Sequence, residues 1–160
     1  MGKITALVVE NLPTSQCNLR EALQKEPDIL LVGAAAGVTE ALELARQLKP
    51  DVILLNIGLG VQAVRELHQE NGMAAVMMLT AHANSAEARE AFMAGGAAYC
   101  RQGISACMLK QALRQVAQGH YVLGDQVFDK EGVLAKLATY PKTGRTLPAR
   151  QTVAQRYVIL

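Results

Sequence analysis

Five short apolar runs, each followed by a turn and then a helix-like segment, constrain this chain more than any other feature. Ile4 to Val9 is the first, rich in β-branched residues, and Glu10-Asn11-Leu12-Pro13 ends it with turn chemistry. Thr14 or Ser15 then offers a cap for a helix to about Gln24, with Leu19 and Leu23 on one face. Ile29 to Ala35 is the second run, and Thr39 is placed to cap a helix through Leu48. Val52-Ile53-Leu54-Leu55 is the third, continuously apolar as expected of a strand buried on both faces. After Gly58 and Gly60, Val61 to Gln69 reads as a helix. Ala75 to Leu79 is the fourth run, and Asn84 or Ser85 caps a helix to Ala94 that Gly95-Gly96 stops. Ala97 to Cys100 is a weaker fifth run, followed by a helix from Ser105 to Gly119.

Short turns between alternating strands and helices allow one economical solution, a parallel sheet with helices on both faces. Ligand sites in such sheets lie beyond the carboxyl ends of the strands. Here those ends are Glu10-Asn11, Asn56 to Gly60, Thr80 to His82 and Arg101-Gln102. After Gly119 the pattern changes. Asp125 to Ala138 reads as one more helix, weakened by Gly132. Tyr140 to Pro148 reads as a linker, and the chain ends apolar at Val158-Ile159-Leu160. The expected organisation is a first domain over 1–124, an additional helix over 125–138 and a basic linker or tail over 139–160.

The charge follows this division. Residues 1–138 hold 12 Lys/Arg and 14 Asp/Glu, whereas 139–160 hold Lys142, Arg145, Arg150 and Arg156 with no acid. A mildly acidic body does not read as a nucleic-acid surface, and four cations on a linker read as solvation. No apolar run approaches the roughly 18 residues of a membrane span, and Met1-Gly2-Lys3-Ile4 shows no leader character, so a cytoplasmic setting is expected. Cys17, Cys100 and Cys107 are widely spaced and form neither a disulfide framework nor a zinc motif.

Several stretches together resemble the receiver domain of two-component response regulators, specifically the NarL/FixJ subfamily. They are Leu23 to Ile29 with Val32-Gly33, Glu40 to Ala45 with Leu48 to Val52, and Ala91 to Ala97 with Tyr99. The similarity spans 3–124. It implies a flavodoxin-like doubly wound sheet of five parallel strands in the order 2-1-3-4-5, with five helices. It also implies a phosphorylation site: paired acids after the first strand that bind Mg²⁺, an acceptor aspartate ending the third, a Thr or Ser after the fourth and a Lys after the fifth. By the same resemblance Thr80 and Tyr99 are the coupling pair, the Thr moving toward the phosphate and the Tyr ring turning inward.

At those positions this chain has Glu10 and Asn11, Asn56, Thr80 and Gln102. An uncharged amide with delocalised lone pairs is no nucleophile toward phosphorus, so Asn56 forms no acyl phosphate. A hard cation wants carboxylate oxygens, and Glu10 is at most a weak ligand. Gln102 lacks the cation that neutralises a developing phosphoryl charge. The loop from Asn56 to Val61 is several residues shorter than the family's. The expectation is a degenerate site without metal or cofactor, in which Asn11, Asn56, Thr80 and Gln102 form a neutral polar network. Thr80 and Tyr99 are open to two readings, a switch driven by another input or inherited packing on a short edge strand. His82 beside the site reads as a titrating input or as a solvated loop histidine.

The function expected is a phosphorylation-independent, non-enzymatic receiver acting through protein partners. The resemblance offers a homodimer through the fourth helix, fifth strand and fifth helix as one arrangement. The alternative is the N-terminal regulatory part of a NarL/FixJ-type DNA-binding transcription regulator. About ten residues follow Leu147 to Arg150, too few for a helix-turn-helix, so this chain alone is not expected to bind nucleic acid. An enzyme or small-molecule sensor is disfavoured, because no nucleophile–base pair or glycine-rich phosphate loop lies at the strand ends.

Overall fold

The computed structural model describes residues 3–10, 20–56, 60–70, 72, 74–81, 83–101 and 104–140, apart from the side chain of Asn56. Its strands are β1 (Ile4–Val9), β2 (Ile29–Ala35), β3 (Val52–Asn56), β4 (Ala75–Thr80), β5 (Ala98–Arg101), β6 (Tyr121–Leu123) and β7 (Gln126–Phe128). Its helices are α1, of which 20–24 is described, α2 (Val38–Leu48), α3 (Gly60–Glu70), α4 (Ser85–Met93), α5 (Ala106–Ala117) and α6 (Lys130–Ala138).

One sheet runs in the order β2-β1-β3-β4-β5-β6-β7. The first five strands take the expected 2-1-3-4-5 order and are all parallel. Alternate side chains along each strand feed opposite faces. Leu7, Val9, Ile53, Leu55, Val76, Met78 and Tyr99 pack beneath α2, α3, α4 and α6. Ala6, Val8, Val52, Leu54, Met77, Leu79, Ala98 and Cys100 pack against Leu23 of α1 and Leu109, Leu113 and Val116 of α5. Both faces are covered, which is why the runs are continuously apolar rather than alternating.

Beyond β5 the structure departs from the expected five strands. Tyr121–Leu123 adds β6 parallel to β5, pairing Ala98 with Val122 and Tyr99 with Leu123. Gly124, at φ 73°, turns the chain into β7, which pairs antiparallel to β6. A left-handed φ at a hairpin turn suits glycine. The single helix expected over 125–138 is therefore a strand followed by α6, which starts at Lys130. Asp129 ends the extended stretch and caps α6, its Oδ1 accepting from the Gly132 N–H at 2.6 Å. Gly132 thus lies in the first turn and receives the cap, rather than weakening a helix interior.

Capping corrects a second expectation. Gly37, not Thr39, precedes α2 as its N-cap, and it makes no side-chain cap bond. Glu40 instead reaches back from the first turn and accepts from the Ala36 N–H at 2.8 Å. Asn84, one of the two residues anticipated, caps α4, its side chain accepting from the Ala86 and Glu87 N–H groups. Ser105 caps α5 through the Met108 N–H. Arg114 of α5 ties the sheet's other side down. It donates to Asp28 at 2.7 and 3.0 Å and to Glu26 at 2.6 Å, while Lys110 lies 3.2 Å from Glu26. These cations hold both carboxyls below their ordinary range.

Candidate functional site

β1, β3 and β4 lie side by side, so their carboxyl ends open onto one edge. Glu10 directly follows β1, is fully buried, and donates its backbone N–H to Ala35 O at 2.9 Å. Asn56 ends β3, with its backbone in register with Leu79 of β4. Thr80 ends β4, is buried, and pairs with Arg101, the last residue of β5. The structure thus brings Glu10, the Asn56 backbone and Thr80 to one edge. Asn11, Gln102 and His82 lie outside the described residues, and so does any network joining them. Among the described residues no three His, Cys, Asp or Glu side chains gather as a metal site.

Tyr99 is the best-defined member of the set. It sits one strand from β3, and its ring points into the α2–α3–α4–α6 side of the core with no solvent exposure. Its hydroxyl accepts from the Asn84 N–H at 3.1 Å and donates to Glu87 Oε1 at 2.7 Å. The Thr80 side chain is a further hydrogen-bond neighbour. Burial, reinforced by the Glu87 carboxylate, pushes the phenol well above its ordinary range, while the Asn84 N–H and Thr80 pull the other way. The phenol stays protonated and donates. Its strand is not an edge, contrary to expectation, because β6 covers the outer side of β5.

Sequence reasoning missed Glu87. The signal was present in the spacing Asn84-x-x-Glu87, that of a capping box, in which the fourth residue normally reaches back to the cap's N–H. What could not be read was that a tyrosine distant in sequence occupies that N–H.

The matching of this architecture to known proteins is direct. A model of the response regulator receiver domain matches residues 6–114. The chain belongs to the response regulator receiver domain family. No curated protein matches it. Among solved structures the receiver is similar to a LuxR-family two-component response regulator from Aurantimonas sp. SI85-9A1. That match is 25% identical, covers 86% of this chain and 96% of the other, and has a TM-score of 0.72. It is also similar to the receiver domain of the putative response regulator NarL from Mycobacterium tuberculosis, at 24% identity, 74% and 99% coverage and TM-score 0.70. A structure of two RcsB dimers bound to two parallel DNAs matches at 14% identity, 86% and 69% coverage and TM-score 0.69. These last two likenesses show the fold.

Receivers are in general signalling domains that work by contact with other proteins. In this receiver a face made of α4, β5 and α5 does not exist in the form expected. β6 and β7 extend the sheet past β5, and α6 packs beside α4, so the outer edge belongs to β7. Among the described residues no helix is long and apolar enough to cross a membrane.

Proposed function

We propose that this receiver signals without being phosphorylated, through protein contacts made by its fixed surfaces. The observation that carries the reading is Asn56 at the carboxyl end of β3, beside buried Thr80 and Glu10 at the ends of the neighbouring strands. An acyl phosphate needs a carboxylate oxygen as nucleophile, and an amide oxygen does not serve. The donor set does not fit the family's Mg²⁺ either. Of Glu10, Asn11 and Asn56, one has a carboxyl group and two have amides, and a hard divalent cation selects carboxylates. Gln102 supplies no cation for a phosphoryl oxygen. In this reading the chain performs no catalysis, needs no cofactor and acts in the cytoplasm.

Incubation with acetyl phosphate and millimolar Mg²⁺, followed by intact-mass measurement, tests it. The expected result is an unchanged mass. A stoichiometric phosphoryl adduct, or tight Mg²⁺ binding by calorimetry, overturns it.

The LuxR-family likeness favours a second reading, in which this receiver is the regulatory part of a DNA-binding transcription regulator. Sequencing the natural reading frame past Leu160 decides it: a helix-turn-helix would support that reading, and a stop codon would end it.

A further inference from the structure

The sheet outruns its helices at one corner. A sheet buried on both faces needs cover above and below every strand. Leu123 of β6 clusters with Val133 and Leu137 of α6 on one face. On the other face Val122 packs against α5, but Val127 of β7 is left 47% exposed. A cavity of about 310 Å³ opens there, between the β6–β7 hairpin and the flank of α5. Val122 and Val127 line one side; Gln111 and Gln115, one helical turn apart, line the other. That volume lies at the small end of the range for organic ligands. Both strands of the hairpin lie beyond residues 6–114, the span that matches the receiver family.

The charges in this cavity do not balance. Asp125, in the hairpin turn, lines it. Among the described residues its carboxyl has no ion pair, and Oδ1 is buried with no hydrogen-bond partner. The cation that shares the lining is Arg114. Its guanidinium is already held by Asp28 at 2.7 and 3.0 Å and by Glu26 at 2.6 Å. Cys100 nearby stays a neutral thiol, donating to Gly124 O. A partly desolvated carboxylate without a counter-charge is costly, so a ligand gains by supplying the cation that the chain withholds.

We propose that this cavity binds a small organic cation, an alkylguanidinium or alkylammonium whose head pairs with Asp125 and whose apolar stem lies along Val122 and Val127. A guanidinium suits it best, being planar, weakly hydrated and able to meet a carboxylate with two N–H groups. Gln111 adds an amide oxygen that accepts a further N–H. An anion is disfavoured by the same Asp125, since Arg114 has no free charge to set against it. The site needs neither the presence nor the absence of phosphorylation at the strand ends.

Calorimetric titration of the full chain with n-butylguanidinium at pH 8, where Asp125 is ionised, tests it. Saturable one-to-one binding is expected, and none of the uncharged isostere n-butylurea. Asp125→Asn, which keeps the turn chemistry, should weaken binding at least about tenfold, as loss of one charged hydrogen bond implies. Glu43→Gln, exposed on α2 across the sheet, should bind as the unaltered chain does. No saturable binding, equal binding of n-butylurea, or equal weakening in Asp125→Asn and Glu43→Gln overturns the site. A short Val-Arg-Val peptide separates the sources of the guanidinium. Binding of the peptide without binding of n-butylguanidinium overturns the small-ligand site in favour of a protein contact.

Discussion

Replacing Asp125 by Asn should stabilise the protein, and by more as pH rises. Asp125 occupies the second position of the β6–β7 turn, and its Oδ1 is buried without a hydrogen-bond partner. Burial pushes its carboxyl from 3.8 up to about 6. Because the folded value lies above the unfolded one, the native state prefers the protonated acid. That preference is fully present below about pH 4 and is lost as pH rises through about 6. At roughly 1.36 kcal/mol per unit, two units bound the penalty of ionisation near 3 kcal/mol. Asp125 is partly exposed, and solvent screening reduces this to about 1–2 kcal/mol. Asn keeps the turn chemistry and carries no charge at any pH. Any cost of burying its amide is independent of pH, so the informative quantity is the change in the variant-minus-parent difference. Urea denaturation at pH 4 and pH 8 should show that difference moving in favour of Asp125→Asn by about 1–2 kcal/mol. A flat difference, or one that moves against the variant, refutes the reasoning. The neighbouring thiol should stay silent throughout. Cys100 is pushed up to about 12, mainly by burial and secondarily by the Asp125 charge, so it does not titrate in this window.

Gly95→Ala should cost about 2–4 kcal/mol in the same denaturation assay, since Gly95 has a φ of 109° and a Cβ there would overlap the His68 ring. Adding His68→Ala should recover the steric part and leave the backbone strain; an unchanged midpoint in the single variant would contradict this. Arg114→Ala should let the Glu26 and Asp28 carboxyls rise toward their ordinary values, seen by NMR titration of the two side chains. Their depressed values mean that the parent's stabilisation from this cluster is present above the ordinary carboxyl range and lost as pH falls through the folded values.

The five-strand core was legible because its signal is local and repeated. Ile53, Leu54 and Leu55 are apolar in succession because α3 covers one face and α5 the other, and that burial marks the sequence directly. Thr39 misled because a good capping residue says nothing of where the preceding strand releases the chain; Gly37 takes that place. Glu10, Asn56 and Thr80 could be placed at one edge in advance, since parallel topology puts every strand's carboxyl end on the same side. Glu87 could not, because its partner is twelve residues away, across the rest of α4 and a turn.

The strand order rested on the family resemblance, whereas by itself the sequence determined the five apolar runs, their parallel arrangement and the residue types at the strand ends. These follow from periodicity and from chain connectivity. Only the tertiary structure decided where the sheet stops and what the tyrosine does. Tyr121–Leu123 and Gln126–Phe128 are too short to announce themselves by period, and they become strands because β5 offers an unpaired edge to the first and β6 to the second. That added pairing converts Tyr99 from an edge residue to an interior one. Its buried hydroxyl must then find partners, and the first turn of α4, with a free N–H and a carboxylate one turn apart, supplies both.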